Sequence, residues 1–132
     1  IPSFARQIAA IEKGRAEPVM LVGDLSVRRD ISDVRDIVCG YRLLAENGEP
    51  GRAYHFCSGR ARAIRTILDK MLRLSESKIR VKVDSARLRA DDLPYLRGDN
   101  SLAVRKLGYR VRRDFGQTLS DTLNYWRDKA RK

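Results

Sequence analysis

Apolar residues recur along the chain with two spacings, three to four residues in some segments and two in others. The longer spacing places side chains on one face of an α-helix, whereas strict alternation is typical of a β-strand. The predicted helices cover Pro2 to Gly14, Ser32 to Asn47, residues 62–75, Ser101 to Leu107 and Thr118 to Ala130. The predicted strands are Val19 to Leu25, Ala53 to Cys57 and Lys78 to Asp84. Strands followed by loops and helices indicate an α/β fold.

Proline and glycine mark several of the predicted helix ends. Pro2 suits the first turn of a helix, and Gly14, Gly48 and Gly108 follow the last apolar positions of three helices. Gly40 lies inside a predicted helix, where it costs about 1 kcal/mol relative to alanine. We therefore expect Gly40 to mark a place where another part of the chain packs closely.

Two adjacent arginines lie where the first predicted strand gives way to the second helix. The stretch reads VGDLSVRRDISDVRD, and Arg28 and Arg29 are predicted to occupy a bend within it. A guanidinium group offers paired, fixed donors that match phosphate oxygens. The pair therefore indicates a phosphate contact, although a solvated basic loop explains the same residues.

The composition bounds the class of protein and of partner. A chain of 132 residues with 42% hydrophobic and 34% charged residues is typical of one soluble globular domain. No apolar run is long enough to cross a bilayer. The net charge of +11 indicates an anionic partner, either a nucleic acid or a phosphorylated ligand, or only an arginine-rich genome. Nucleic acid is the less favoured of these, because stacking aromatics do not alternate with the basic residues.

The cysteines and the single histidine argue against a metal site. Cys39 and Cys57 lie in apolar surroundings in a helix pattern and a strand pattern, so we expect buried free thiols in a cytoplasmic protein. One histidine and two separated cysteines do not make zinc-ligand spacing. His55 is expected to be a strand side chain.

Four segments resemble the extended short-chain dehydrogenase/reductase family, and most closely its GDP-mannose 4,6-dehydratase and GDP-4-keto-6-deoxy-mannose reductase branch. The first is the arginine-containing stretch, whose Gly23-Asp24-Leu25, Arg29-Asp30, Asp33-Val34 and Asp36 match the family pattern. The others are Phe56 to Arg60, Arg87 to Ser101 and Thr118 to Arg127. The resemblance implies that residues 1–132 are a partial domain: the C-terminal portion of a Rossmann-type enzyme, with a late sheet strand, helices and a small α/β substrate-binding subdomain.

The same resemblance implies a set of substrate-binding residues. Arg29 and Arg89 would meet the pyrophosphate of a GDP-sugar, and the carboxylate of Asp92 would accept both ribose hydroxyls. Arg6 and Gln7 would lie near the phosphates, with glutamine where several family members have lysine. Main-chain groups around Val22 and Leu25 would line the base pocket. The implied ligand is GDP-mannose or its 4-keto-6-deoxy product.

The residues that the family uses for hydride transfer are not expected in this chain. No glycine-rich turn of the G-x-x-G-x-x-G type occurs, and Tyr125-x-x-x-Lys129 at the end of the last helix is read as a coincidence. The chain is therefore predicted to hold no catalytic residue, no metal and no bound cofactor. NADP or NAD would be used by the full-length enzyme, which is expected to be a cytoplasmic homo-oligomer, and the N-terminal dinucleotide-binding region would be absent.

The resemblance has a physical consequence for the isolated chain. It places Ala53 to Cys57 in a parallel sheet whose other strands would be missing. The apolar faces of helices 32–47 and 62–75 would then lack partners, so the chain would repack, self-associate or need the missing half. Two alternatives stay open: a small basic nucleic-acid-binding module, and a remnant that has lost its ligand.

Overall fold

A computed structural model describes residues 1–88 and 92–131 of the chain. Five α-helices and five short β-strands are present in this part. The helices are α1 (Pro2–Glu12), α2 (Val34–Asn47), α3 (Ile64–Arg73), α4 (Ser101–Leu107) and α5 (Phe115–Lys129). The strands are β1 (Val19–Val22), β2 (Arg28–Asp30), β3 (Ala61–Ala63), β4 (Arg80–Val83) and β5 (Tyr95–Leu96). A 3₁₀ turn, Ser85–Arg87, follows β4.

The main hydrophobic core joins elements from both ends of the chain. Helices α1, α3 and α5 and strand β1 pack their apolar faces together. The buried residues are Ala5, Ile8, Met20, Val22, Ile67, Leu68, Met71, Leu119 and Leu123. Leu119 and Leu123 of α5 are fully buried in this core, and the apolar face of α3 is buried rather than unpartnered.

A half-buried ion pair joins α1 to α5. The Nε and Nη2 atoms of Arg127 donate to the two carboxylate oxygens of Glu12, each at 2.8 Å. Nη2 of Arg127 also donates to the carbonyl of Leu74, where α3 ends. These hydrogen bonds lower the pKa of Glu12 below its usual value, since they favour the charged carboxylate.

The strands form two separate small sheets. Strands β1 and β4 pair in parallel, from Val19 opposite Arg80 to Val22 opposite Val83. In the second sheet β2 is central, antiparallel to β3 and parallel to β5. The strand predicted at 78–84 is therefore confirmed as β4, whereas the strand predicted at 19–25 ends three residues earlier.

The strand predicted at Ala53 to Cys57 is wrong for this structure. These residues belong to no strand, and the strand in this region is β3, several residues later. Alternation indicated a strand, but a strand needs a neighbour to pair with, and no described main-chain hydrogen bond outside helices and strands involves residues 53–56. Strands β2 and β5 escaped prediction because segments of three and two residues carry no periodic signal.

Helix α2 is anchored by two buried carboxylates. Asp33 caps its first turn by accepting the main-chain N–H of Arg35 at 2.8 Å, so the helix begins at Val34, two residues after the predicted start at Ser32. Asp33 also accepts two bonds from the Arg35 guanidinium and one from the Thr118 hydroxyl. Asp36 accepts the main-chain N–H groups of Arg112 and Arg113, each at 3.2 Å. The carboxylates thereby hold α2 against α5 and the segment before it.

The close packing predicted at Gly40 is confirmed. A Cβ atom at this position would lie 2.5 Å from the Phe56 ring. The Phe56 ring in turn packs edge-on against Tyr41 and Tyr109, with centroid separations of 5.8 and 5.2 Å. These aromatic contacts hold residues 53–57 against α2. The expectation of a buried Cys39 is wrong: its thiol is free but exposed, and that of Cys57 is free and half-buried.

No helix in the described part of the chain is long and apolar enough to cross a membrane.

The Tyr109 hydroxyl is a buried polar group that finds no hydrogen-bond partner among the described residues. Burial raises the pKa of Tyr109 to about 12, since the charged phenolate is disfavoured there. We expect Tyr109→Phe to raise the free energy of unfolding by about 1 kcal/mol at pH 7, because it removes an unsatisfied group. Urea unfolding measures this change, with Tyr125→Phe as the exposed control.

The same variant gives a pH signature. A tyrosine ionises near pH 10 in the unfolded chain and at about 12 in the fold, so ionisation stabilises the unfolded chain first. The free energy of unfolding of the wild type is therefore unaffected by this group below pH 10 and falls as pH rises through 12. The stability advantage of Tyr109→Phe over the wild type should therefore widen between pH 10 and 12. An advantage that stays constant over this range would show that Tyr109 titrates as an ordinary surface tyrosine.

Candidate functional site

The two adjacent arginines lie in strand β2, not in a bend as predicted. β2 is the central strand of the second sheet, and alternation directs Arg28 and Arg29 to opposite faces. The Arg28 side chain is exposed and donates to the carbonyl of Ala61 at 3.2 Å. Placement in a paired strand fixes the backbone of Arg29 more firmly than a loop would.

Arg29 is brought together with Asp92, the carboxylate predicted for ribose. Nη2 of Arg29 donates to Oδ1 of Asp92, and Nη1 donates to the carbonyl of Arg28 at 2.9 Å. The side chains are 20% and 31% exposed, so both stay accessible to a ligand. A guanidinium and a carboxylate at one place offer donors for phosphate oxygens beside acceptors for hydroxyl groups.

A second guanidinium lies beside this pair. Arg62 is directly opposite Arg29 in the antiparallel β2–β3 ladder. Its guanidinium carbon lies 4.1 Å from the centre of the Phe115 ring, a cation–π contact, and desolvation lowers its pKa. Like charges directly opposite each other destabilise a sheet. Here Asp92 offsets that cost at Arg29, and the Phe115 ring offsets it at Arg62. Arg62 could not be predicted from the sequence, because the antiparallel register that brings it beside Arg29 depends on the short strand β3.

Asp30 organises the loops around the site, which sequence reasoning also missed. Its carboxylate accepts the Ser58 main-chain N–H at 3.1 Å, the Ser58 hydroxyl at 2.5 Å and the Gly98 main-chain N–H at 3.2 Å. The Asn100 amide donates to the Cys57 carbonyl at 2.8 Å in the same place. Asp30 therefore ties β2 to the turn at Ser58 and to the segment after β5.

The two candidates on α1 differ in their surroundings. Arg6 is exposed. The Gln7 amide forms two hydrogen bonds with the main chain of Leu21 in β1, accepting from its N–H at 3.0 Å and donating to its carbonyl at 3.1 Å. Gln7 thus completes the hydrogen bonds of β1 on the side away from β4, and this contact alone explains a glutamine there. Substrate contact by either residue stays a prediction.

Main-chain groups near the predicted base pocket are already engaged. The Val22 carbonyl accepts the N–H of Asp84 at 2.8 Å, and the Leu25 carbonyl accepts the N–H of Arg65 at 3.1 Å. The Val22 side chain is buried in the core. A role of these two residues in binding a base stays a prediction.

Arg89, the second predicted pyrophosphate ligand, lies outside the described residues. The chain leading toward it is held close to the first motif: a Cβ atom on Gly23 would lie 2.6 Å from the main-chain carbonyl oxygen of Arg87. Only glycine at position 23, directly after β1, permits the main chain to come this close to the 3₁₀ turn. The contact places the two predicted binding segments side by side.

A cavity of about 570 Å³ lies elsewhere, between the starts of α1 and α2 and the outer part of α5. Its lining is largely apolar and includes Ile1, Ile31, Val34, Tyr125 and Trp126. Neither Arg29 nor Asp92 lines it. The Asp33–Arg35 ion pair lies at its edge, and Arg35 also contacts Asp121 at 2.8 Å.

The turn at Ser58-Gly59 does not fit a dinucleotide pyrophosphate. The turn at Ser58-Gly59 is the one place where a glycine follows an alternating segment, and Gly59 has a φ of +69°. The Ser58 N–H already donates to a carboxylate, and the Asn100 side chain lies about 3.5 Å from where a Gly59 Cβ would be. An anion would meet Asp30 rather than free N–H donors.

The remaining candidate chemistry lies on the surface. Tyr125 is exposed, and the ammonium of Lys129 lies 5.5 Å from the centre of its ring rather than at its hydroxyl. Within residues 1–88 and 92–131, no group of three or more His, Cys, Asp or Glu side chains could hold a metal ion. His55 is exposed, in the unpaired segment.

Comparison with known proteins identifies the family. The family model for GDP-mannose 4,6 dehydratase matches residues 1–122. GDP-6-deoxy-D-mannose reductase from Pseudomonas aeruginosa is 30% identical over 131 residues, which are 99% of this chain and 43% of that protein. The structure of RMD from Pseudomonas aeruginosa complexed with NADPH is 28% identical, with a TM-score of 0.89 over 97% of this chain and 42% of that chain.

A more distant relative has the same fold. UDP-glucose-4-epimerase from Stenotrophomonas maltophila, with bound NAD and formylated UDP-arabinopyranose, is 20% identical, with a TM-score of 0.77 over 97% of this chain and 40% of that one. The α/β fold of an extended short-chain dehydrogenase/reductase is thereby confirmed. The chain spans about two-fifths of the length of the relatives it matches.

Proposed function

We propose, since this chain belongs to the GDP-mannose 4,6 dehydratase family, that residues 1–132 are the nucleotide-sugar-binding part of an NAD(P)-dependent enzyme. The whole enzyme would be a GDP-mannose 4,6-dehydratase or the related GDP-4-keto-6-deoxy-mannose reductase. The ligand of this part would be GDP-mannose or its 4-keto-6-deoxy product. The observation that carries the proposal is the Arg29–Asp92 pair, which joins two separate family motifs at one accessible place.

Each member of the pair has a chemical role in the proposal. The Arg29 guanidinium would donate to pyrophosphate oxygens, for which its planar fork is suited. The Asp92 carboxylate would accept hydrogen bonds from the two ribose hydroxyls. Arg89 would be the second guanidinium on the pyrophosphate. Arg6, Gln7 and the main chain at Val22 and Leu25 are secondary candidates for the phosphates and the base.

Titration calorimetry with GDP-mannose tests the proposal. We expect measurable though weak binding by the 132-residue chain, since part of the enzyme's site lies elsewhere. Arg29→Ala and Asp92→Ala should each weaken binding by about tenfold or more, which corresponds to the loss of one charge-assisted contact. Circular dichroism and thermal unfolding would confirm that the variants stay folded.

The matched control is Arg28→Ala. It removes the same charge from the neighbouring residue of the same strand, but on the opposite face of the sheet. Binding by this variant should stay within about twofold of the wild type, because one exposed charge at a distance contributes little. An equal loss in the Arg28 and Arg29 variants would mean that overall charge, not a site, attracts the ligand.

The alternatives give different results in the same assay. Steeply salt-dependent binding to a duplex or single strand, unchanged by Arg29→Ala, would support the basic nucleic-acid-binding module. No binding of either ligand would support the remnant. The use of NADP or NAD by the full-length enzyme, its homo-oligomeric state and its cytoplasmic location are parts of the proposal that rest on the family resemblance.

A further inference from the structure

Strand β4 has an outer edge, the edge away from β1, that no described element covers. The N–H of Arg80 donates to the carbonyl of Pro18 at 2.9 Å, and that of Asp84, four residues later, donates to β1 at 2.8 Å. Because main-chain groups alternate in direction along a strand, those of Val81 and Val83 point away from β1. Among the described residues, no hydrogen bond outside the β1–β4 ladder reaches the main chain of either valine. The outer edge of β4 is therefore open.

The opposite edge of the same sheet is closed, which makes the open edge of β4 a distinct feature. Leu21 presents its main chain away from β4, and the Gln7 amide accepts from its N–H and donates to its carbonyl. The chain that follows β4 also turns toward β1, because Arg87 lies against Gly23. In the described part of the chain, neither kind of closure exists at the outer edge of β4. A further strand could therefore pair there.

The side chains of β4 give this edge a chemical character. The register places Val81 and Val83 on the core face of the sheet with Met20, and Arg80 and Lys82 on the opposite face. Arg80 and Lys82 are exposed, and neither forms an ion pair with a described residue. Val83 is 56% exposed, although it lies on the core face. The edge thus offers cations on one face and an incompletely covered valine on the other.

A recess at the start of the sheet extends this basic surface. A cavity of about 540 Å³ is lined by Glu17, Pro18, Val19, Lys78, Ile79 and Arg80. Lys78 continues the row of Arg80 and Lys82 at the same spacing of two residues. These lining residues include two cations and one carboxylate, so the recess favours a negatively charged group.

We propose that the outer edge of β4 is a docking site for an extended acidic segment of another protein, which adds to the sheet as a third strand. Alternate residues of that segment are acidic, opposite Arg80 and Lys82, and the residues between them are apolar, beside Val81 and Val83. Main-chain hydrogen bonds to the two valines attach the segment, and the charges select its sequence. The interaction is independent of sugar-nucleotide binding, since Arg29 lies in the other sheet.

A second copy of this chain is a poor occupant of the edge. In a two-fold antiparallel pairing of two β4 strands, the outward-facing valines of one copy must meet those of the other. Any such pairing that overlaps three residues of both strands sets Lys82 opposite the same residue or opposite Arg80 in the other copy. Like charges directly opposite each other destabilise a sheet. The side chains that disfavour a second copy are the ones that attract an acidic segment.

Peptide titration of the 132-residue chain tests the proposal. The probe is a peptide of four glutamate–valine repeats with blocked ends, and the control probe has lysine in place of glutamate. Amide hydrogen exchange, resolved by NMR, reports on the edge. With the acidic peptide in excess, exchange at Val81 and Val83 should slow by about fivefold or more, because their N–H groups gain acceptors. The lysine peptide should leave it unchanged.

Two variants separate the charge from the strand pairing. Lys82→Glu alters an exposed side chain; it should weaken binding of the acidic peptide by about tenfold or more and allow the lysine peptide to bind. Val83→Pro removes an outward N–H and leaves the ladder to β1 intact, so it should weaken the acidic peptide by about fivefold or more. Lys129→Glu makes the same charge change on the exposed surface of α5, and its affinity should stay within about twofold of the wild type.

Three results would overturn the proposal. The first is unchanged exchange at Val81 and Val83 with the acidic peptide in excess. The second is an equal loss of affinity in the Lys82 and Lys129 variants, which would show attraction by net charge alone. The third is wild-type affinity in Val83→Pro, which would show that no strand is added. In each case Arg80 and Lys82 would serve only to guard an edge against pairing.

Discussion

Asp33→Ala should lower the free energy of unfolding by about 3 kcal/mol, which corresponds to a fall in melting temperature of about 10 °C for a domain of this size. The Asp33 carboxylate is 6% exposed and accepts four hydrogen bonds, from the Arg35 main chain and guanidinium and from Thr118. Alanine would remove the cap of α2, leave the Thr118 hydroxyl without this acceptor and leave the Arg35–Asp121 ion pair as the remaining polar link between α2 and α5. Urea unfolding followed by circular dichroism measures the change.

The effect should depend on pH with a defined sign. The hydrogen bonds from Arg35, followed by that from Thr118, hold the pKa of Asp33 well below its usual value. A carboxylate with a lowered pKa stabilises the fold above its unfolded-state pKa of about 4, and that contribution is lost as pH falls through the lower folded-state value. The stability difference between the wild type and Asp33→Ala should therefore shrink steadily below pH 4.

Asp114→Ala is the matched control for Asp33→Ala. Asp114 also caps a helix, accepting the N–H of Gln117 at 3.0 Å at the start of α5, but it is exposed and forms no ion pair with a described residue. Its loss should cost about 1 kcal/mol, the usual effect of a removed cap. Equal losses in the two variants would mean that Asp33 acts as a cap alone, and that its contacts with Arg35 and Thr118 contribute nothing.

Gly23→Ala should lower the free energy of unfolding by about 3 kcal/mol and weaken GDP-mannose binding by about tenfold. The added Cβ would lie 2.6 Å from the Arg87 carbonyl oxygen, so main chain rather than a movable side chain must shift. The displaced turn precedes Asp92 by only a few residues, so the Arg29–Asp92 pair would be disturbed as well. Urea unfolding and titration calorimetry measure the two effects.

Gly14→Ala separates this clash from ordinary backbone strain. Gly14 has a φ of +65°, and a Cβ there would meet nothing within 4 Å. The control should lose about 1 kcal/mol of stability through conformational strain and keep its affinity for the ligand. Amide chemical shifts of Ala86 and Leu88 should change in the Gly23 variant only. A Gly23→Ala protein with wild-type stability and unchanged shifts would contradict the close approach of the two turns.

The sequence predicted the helices well, because their apolar faces are long enough to carry a period. All five helices lie where periodicity placed them, three of them with a closing glycine, and their ends are shifted by no more than about three residues. The largest shift is at α5, which begins at Phe115 because Asp114 caps it. A helix end depends on a single capping side chain, so it is predicted less accurately from sequence than the body of the helix, where the apolar spacing repeats.

The strands were predicted less well, for a reason visible at β2. Its three residues are all charged, Arg28, Arg29 and Asp30, and none belongs to an apolar alternation. They form a strand because β3 and β5, both distant in sequence, bring partners to each edge. The segment at 53–57 is the reverse case, with a strand pattern but no partner. An alternating sequence shows that a segment favours the strand conformation. Whether it forms a strand depends on whether the rest of the fold places another strand beside it.

The candidate site could be predicted in part. The spacing of residues around Arg29 and Asp92 identified both through the family resemblance, and the structure brings them together. The Asp30 contacts with Ser58 and Gly98 could not be predicted, because they depend on where two loops lie relative to β2. The two hydrogen bonds between the Gln7 side chain and the Leu21 main chain could not be predicted either. The sequence of a helix does not indicate which strand its amide side chain contacts.

Because α1 packs against α5, the core around α1 can be completed only late in the synthesis of the chain. Ile8 can be buried only after Leu119 and Leu123 have left the ribosome, more than a hundred residues later. At the usual elongation rates the first helix waits roughly 5 to 20 s for its packing partners. Throughout that interval its apolar face is open to chaperones and proteases, and a chain cut short before α5 would lack the contributions of Leu119 and Leu123 to this core.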